Sequence, residues 1–238
     1  MVTELRLIRG EKIPISEIFY SIQGEGVHAG RPSVFVRTYF CNLSCSWCDS
    51  KYTWLGQAEA KEGKDYSLMT FEQIRKELTR YRCRHIVVTG GEPLLHQQSL
   101  LPALKNLYDM SYSIEVETNG TIKPLKELIQ VVEFFNVSPK LSNSQMSGRV
   151  SREALEEFVG SGRAWFKFVV CEKNDIDEVL DLVKRYNLPA EKVLLMPEGV
   201  DKETILSRSV WIAEMCKEYG FGYSPRLHIL LYGNKRGT

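Results

Sequence analysis

Residues 33–48 read SVFVRTYFCNLSCSWC, a β-branched and aromatic run followed at once by three cysteines. The run 33–38 has the composition of a strand buried on both faces. Cys41 and Cys45 are separated by three residues, Cys45 and Cys48 by two, and the next cysteine is Cys83. Parallel α/β folds build their sites at the carboxyl ends of strands. A cysteine loop directly after a strand therefore lies where active sites form.

Working outward, six more runs of this kind follow: HIVVTG (85–90), SIEVET (113–118), EFFNVS (133–138), AWFKFVV (164–170), KVLLM (192–196) and RLHILL (226–231). Between most of them lie stretches with helical spacing. In 70–82, Phe71, Ile74, Leu78 and Tyr81 share one face, and Thr70 with Gln73 makes a capping box. In 175–187, Ile176, Val179, Leu180 and Val183 do the same after a cap at Asn174. In 202–219, Ile205, Ile212, Met215 and Tyr219 recur, with Asp201 to start the helix and Gly220 to end it. Strands alternating with helices predict right-handed βαβ units and a largely parallel sheet. Eight strands would close a barrel, so the seven runs predict an open, partial (β/α) barrel of about six parallel strands. An extra N-terminal segment and a C-terminal strand complete it, in one domain over 1–238. A flat, doubly wound sheet has the same periodicity and is the alternative.

Composition narrows the function classes. Lys+Arg 31 against Asp+Glu 30 gives a net charge of +1, so no whole-chain bias points to nucleic acid or to a membrane. No apolar run approaches membrane-spanning length. The start, MVTELRLIRGEK, carries charges where a signal peptide needs an apolar core, which predicts a cytoplasmic protein. A reducing cytosol argues against disulfides among the six cysteines and leaves metal ligation or redox chemistry for the clustered three.

Three thiolates on one loop admit several chemistries. A structural zinc site closes with four ligands, and would need Cys83, Cys171, Cys216 or a histidine as the fourth. A redox dithiol would use Cys45 and Cys48 and leave Cys41 spare. A cubane iron–sulfur cluster held by three cysteines keeps one iron open to a substrate or cofactor. The count favours the third reading.

CNLSCSWC, with the aromatic Trp47 before its last cysteine, resembles the C-x3-C-x2-C signature of the radical S-adenosylmethionine superfamily. TGGEP (89–93), ending the second strand, resembles that superfamily's contact to the methionine amino group. A Gly-Gly pair also has a direct reason, since backbone without side chains approaches a ligand closely. The resemblance extends through EIFYSIQGEG (17–26), VFVRTYFCNLSCSWCDSKYTW (34–54), ETNG (117–120), SPK (138–140) and YGNKRGT (232–238) to the 7-carboxy-7-deazaguanine synthase family. It is weaker over about 145–225.

The resemblance implies a radical ring contraction. The substrate would be 6-carboxy-5,6,7,8-tetrahydropterin and the product 7-carboxy-7-deazaguanine, with ammonia lost, on the route to queuosine-type bases. A [4Fe-4S] cluster, S-adenosylmethionine and Mg2+ would be the cofactors. A flavodoxin or ferredoxin would supply the electron, and the enzyme would be a homodimer. Cys41, Cys45 and Cys48 would hold the cluster and Ser50 the magnesium. Trp47, Cys48, Asp49, Gly91, Glu117, Thr118, Asn119, Ser138, Pro139 and Lys140 would hold S-adenosylmethionine. Ile22, Gln23, Gly24, Arg37 and Thr89 would bind substrate, Arg37 by a two-point grip on its carboxylate. Thr238 would close the pocket through the chain's last carboxylate.

Alternatives stay beside some of these. Arg37 reads equally as a surface ion pair, Ser50 as a turn cap, Glu25 as a partner of the pterin's amidine edge or a solvated carboxylate. His28, His85, His96 and His228 make no metal-ligand spacing. His85 opens a strand and reads as structural, while His228 could line the pocket from the last strand. Tyr52 and Trp54 are candidate walls. Two rival functions come from other classes. One is an activase that places a radical on a partner protein and consumes S-adenosylmethionine. The other is a metal or electron-transfer module whose cluster has a fourth protein ligand.

Overall fold

The computed structural model describes residues 12–238, so the charged start at 1–11 lies outside the described residues. Among the described residues nine strands form one sheet. They are β1 (Lys12–Ile22), β2 (Pro32–Thr38), β3 (Ser67–Thr70), β4 (His85–Gly90), β5 (Ser113–Thr118), β6 (Phe134–Val137), β7 (Ala164–Val170), β8 (Val193–Pro197) and β9 (Gly222–Tyr223). Their order is β3-β1-β2-β4-β5-β6-β7-β8-β9. β1 pairs antiparallel with β2 and β3, and every pairing from β2 to β9 is parallel. Among the described residues β3 and β9 do not pair, so the sheet stays an open, partial barrel.

Among the described residues six α-helices connect strands, α1 (Phe71–Leu78), α2 (Gln97–Asp109), α3 (Lys126–Val131), α4 (Arg152–Ser161), α5 (Asp175–Tyr186) and α6 (Lys202–Tyr219), and α7 (Leu227–Tyr232) follows β9. The capping box of Thr70 and Gln73 opens α1 as its sequence predicts. Asp201 caps α6, and Gly220 ends it in the left-handed conformation. Asn174 precedes α5 but its side chain caps nothing. Asp175, the first residue of α5, instead orders the loop before it, accepting the backbone N–H groups of Cys171 and Glu172 at 2.6 and 3.1 Å.

The run 226–231 is not a strand. It forms α7, following Pro225, and the Leu227 N–H donates to the Gly24 carbonyl at 2.8 Å. The last sheet position goes to the two-residue β9. Among the described residues no helix is long and apolar enough to cross a membrane.

Side-chain alternation along the parallel strands decides where the site lies. Val34, Val36, Ile86, Val88, Ile114, Val116, Phe135, Val137, Phe166 and Phe168 pack into one core beneath the helices. Their neighbours Arg37, Thr89, Glu117, Asn136 and Lys167 turn to the concave face. The sheet thus carries a row of polar groups on the surface that a barrel curves around.

Candidate active site

The cysteine loop is pinned from three sides. The Phe40 N–H donates to the Thr53 carbonyl at 2.8 Å, and the Phe40 carbonyl accepts the Glu92 N–H at 2.9 Å. The Gln57 amide pairs with both the N–H and the carbonyl of Cys41, at 3.2 and 3.1 Å. Phe40 itself has φ of 77°, a left-handed conformation that an aromatic residue adopts only when its surroundings hold it there.

Cys41 and Cys45 are buried and Cys48 half-buried, packed around Leu43 with Trp54 and Met146. The Trp54 indole N–H donates to Cys48 Sγ at 3.3 Å. Burial, reinforced by the Glu92 carboxylate, pushes the Cys41 thiol up to about 12, and burial raises Cys45 as well. Such thiols ionise only when a cation takes up their charge, as metal ligation does. The other cysteines are engaged elsewhere. Cys83, in the loop after α1, donates to the Pro32 carbonyl at 3.3 Å, and Cys216 donates to the Gly222 carbonyl at 3.2 Å. Cys171 follows the end of β7. The loop fits a cluster with three protein ligands and one open position.

The Gly90–Gly91 turn packs against this loop. A Cβ on Gly90 would lie 2.3 Å from the Thr38 carbonyl oxygen, and one on Gly91 would lie 2.1 Å from that of Phe40. Close approach between chain segments therefore requires glycine at both positions. Glu92 then ties β4 to β5. It accepts the Leu94 and Asn119 N–H groups at 2.9 and 2.7 Å and the Thr118 hydroxyl at 2.8 Å.

A cavity of about 410 Å³ opens beside the loop. Every residue singled out above for cluster, cofactor or substrate lines it, except Pro139. Glu25, Tyr52, Trp54 and His228 line it too. On the far side, Lys140 donates to Ser138 Oγ at 2.9 Å and stands 5.4 Å from the Trp47 ring centroid. Ser50 Oγ lies 3.6 Å from Cys48 Sγ.

Gln23 lines the cavity with its amide already paired within the protein. It is buried, and its NH2 group donates to Glu115 at 2.8 Å and Glu117 at 3.0 Å. Thr89 donates to the other oxygen of Glu117 at 2.7 Å. Glu117 is thus aimed among the residues expected to bind substrate. Burial pushes its carboxyl up, with Glu25 and Glu115 adding like charge.

Below it, Glu115 accepts from His28 at 2.6 Å, His85 at 3.2 Å and the Asn136 amide. Burial alone would raise this carboxyl, but the two histidines hold it down at about 2. Its contribution to stability is therefore full above the ordinary value of 4.5 and is lost as pH falls toward about 2. Glu115→Gln should be destabilised by roughly 3 kcal/mol at neutral pH. Urea melts should find that gap closing between pH 4.5 and 2. A gap that stayed constant over that range would exclude this pairing as its source.

A charged network closes the cavity's other wall; its acids Glu25 and Asp49 were sequence candidates, its bases Lys167 and Arg226 were not. Glu25 pairs with Lys167 and with Arg226, and Arg226 reaches on to Asp49 after the cysteine loop. Burial opposes the charge on Glu25, yet Lys167 and Arg226 hold its carboxyl well below the usual range. His228, on α7 and not on a strand, stands 4.0 Å from Glu25. Gly24 makes room for it, since a Cβ there would lie 1.9 Å from His228 Nδ1. The alternation of AWFKFVV carried a signal for Lys167, which falls on the face opposite Phe166 and Phe168. Arg226 had none.

Arg37, on β2, donates from Nε to Glu17 at 2.8 Å and lines the cavity. It is paired as an ion pair would be, but at the pocket and nearly buried.

Residues 35–206 match the Radical SAM superfamily. The 7-carboxy-7-deazaguanine synthase of Pyrobaculum aerophilum is 40% identical over 228 residues, covering 95% of this chain and 97% of that protein. The enzyme of the same name from Hyperthermus butylicus is 34% identical, covering 91% and 92%. The crystal structure of QueE from Escherichia coli superposes with a TM-score of 0.70 at 29% identity, covering 93% of this chain and 98% of that one. Three converging thiols on a strand-end loop, a cavity beside them and these likenesses lead to one assignment: the chain belongs to the 7-carboxy-7-deazaguanine synthase family of the radical S-adenosylmethionine superfamily.

Proposed function

We propose that this chain converts 6-carboxy-5,6,7,8-tetrahydropterin to 7-carboxy-7-deazaguanine with loss of ammonia. The observation that carries the reading is the convergence of the Cys41, Cys45 and Cys48 thiols with Arg37, Thr89 and Glu117 on one cavity. Its volume, about 410 Å³, lies within the usual range for small-molecule sites.

The bound cluster and S-adenosylmethionine supply hydrogen abstraction by one-electron chemistry, and the chain supplies position and electrostatics. Cys41, Cys45 and Cys48 hold the cluster. Ser50 offers magnesium a hydroxyl oxygen, the hard ligand that cation takes. The backbone of Trp47–Asp49, Gly91, Thr118, Asn119, Ser138, Pro139 and Lys140 borders S-adenosylmethionine. Arg37 keeps its two terminal nitrogens for the substrate's carboxylate. Thr89 and Glu117 meet the N–H groups of the pterin, with Glu117 fixed from behind by Gln23. Ile22 and Gly24 flank the ring, and residues up to Thr238 cover it. The whole of 1–238 acts as one domain. A flavodoxin or ferredoxin gives the electron, the enzyme works as a homodimer, and the cytoplasm is its compartment.

An anaerobic assay tests this. Reconstituted protein with S-adenosylmethionine, reductant and the carboxytetrahydropterin should form the deazapurine chromophore with little 5′-deoxyadenosine. Deoxyadenosine without deazapurine would favour an activase, and neither product would sink both enzyme readings.

Arg37→Lys provides a sharper check. Lysine keeps the charge but lacks the planar fork. Loss of a charged hydrogen bond weakens substrate binding by about 1.5–3 kcal/mol, or roughly tenfold to a hundredfold. Cleavage of S-adenosylmethionine without substrate should survive. If affinity for a pterin lacking the 6-carboxylate falls equally far, Arg37 is not reading that carboxylate.

A further inference from the structure

β1 and β2 pair with an irregular register. Ile15 faces Thr38 and Glu17 faces Arg37, so β1 advances two residues where β2 advances one. Such a bulge reverses which face the following side chains take. Ile13 and Ile15 pack into the core before it, and Ile18 returns to the core after it. Glu17 and Phe19 are thereby turned to the concave face, where Phe19 stacks on Phe35 at 4.9 Å. Without the bulge Glu17 would point beneath the helices.

What meets Glu17 there comes from two distant places. Its Oε1 accepts from Arg37 Nε at 2.8 Å and from the Tyr52 hydroxyl at 2.9 Å. Its Oε2 accepts from Arg236 Nε at 2.9 Å. Arg236 also donates to Ser16 Oγ, the bulge's extra residue, at 3.3 Å, and its guanidinium lies 4.2 Å from the Tyr52 ring centroid. Burial raises the Tyr52 phenol to about 12, so at neutral pH it stays a donor to Glu17. Asn234 through Thr238 line the same cavity as Arg37.

We propose that the Ser16–Glu17 bulge is the catch for the C-terminal segment, and that Glu17 is a positioning residue coupling that segment, through Arg236, to the arginine that reads the substrate's carboxylate. Glu17 grips Arg37 by its Nε and so directs the two terminal nitrogens into the cavity. The same carboxylate holds Arg236, so the cover closes over a site whose arginine is already aimed. A pterin carboxylate bound to Arg37 tightens this arrangement from the inside, and the cover tightens it from the outside.

The assignment rests on the substrate proposed above, and its test separates the two. Arg236→Ala and Glu17→Gln should each raise the substrate KM at least tenfold, and the double variant should be little worse than the worse single one. Amide hydrogen exchange in 233–238 should accelerate at least tenfold in both single variants, with no substrate present. Substrate should slow that exchange in the parent chain and fail to slow it in Glu17→Gln. Unchanged exchange in both variants, or KM within twofold of the parent for Arg236→Ala, would overturn the catch. Multiplying effects in the double variant would overturn the coupling through Glu17. Exchange needs no turnover, so a parent chain that formed no deazapurine would defeat the substrate reading while the catch was still tested.

Discussion

Changing any one of Cys41, Cys45 or Cys48 to alanine should leave a folded protein with no stable iron or sulfide and no turnover. The argument is one of count and place. Three thiols converge on one loop, and the remaining three cysteines lie on other parts of the fold, Cys83 and Cys216 donating to backbone carbonyls there. No neighbouring thiol can replace a lost ligand. The loop does not depend on the metal for its path, because Gln57, Thr53 and Glu92 hold its backbone by hydrogen bonds. Far-ultraviolet circular dichroism should therefore stay near that of the parent while iron and sulfide analysis falls to background. Cys83→Ala, Cys171→Ala and Cys216→Ala should keep both cluster and turnover. Cys216→Ala should lose some stability, since that side chain is buried under α6. Loss of iron in any of these three would contradict a cluster with an open position and restore the reading of a closed, four-ligand metal centre.

The parallel strands β2 and β4 to β8 were legible within a residue or two because each is a short run rich in β-branched and aromatic residues, whereas β3 (Ser67–Thr70) was not read as a strand. The cluster loop was legible because ligand spacing is local. What failed did so for physical reasons. β1 alternates cleanly only on either side of its bulge, so its period is broken where it matters. RLHILL has the composition of a strand, but Pro225 before it and the anchoring of Leu227 to Gly24 decide for a helix, and both act through tertiary structure. SIEVET showed its two faces openly: Ile114 and Val116 for the core, Glu115 and Glu117 on the other side, of which Glu117 lines the cavity and Glu115 lies buried beneath it. That alternation places Glu117 on the concave face, beside Thr89 on the adjacent strand. The network of Glu25, Lys167, Arg226 and Asp49 joins four separate parts of the chain, and no local pattern encodes it.

Gly91→Ala should cost the protein its cluster as well as its cofactor, and this outcome separates two explanations of the same motif. If glycine is needed only so that S-adenosylmethionine can approach, alanine would weaken cofactor binding and leave iron and sulfide content normal. The geometry argues otherwise. The added Cβ would meet the Phe40 carbonyl oxygen at 2.1 Å and Cys41 Cβ at 3.0 Å. Both belong to the cluster loop, and the first is backbone that no rotamer change can move. The Glu92 N–H bond to that same carbonyl would have to lengthen or break. Overpacking of this kind costs about 1–3 kcal/mol, and a backbone clash this short belongs at the upper end. For a chain of this size that corresponds to a melting temperature lower by roughly 5–10 °C. Displacing Cys41 misplaces one of three ligands, so reconstitution should yield well under half the parent's iron. A Gly91→Ala protein with full cluster content and unchanged melting, but no binding of S-adenosylmethionine, would return the motif to the ligand.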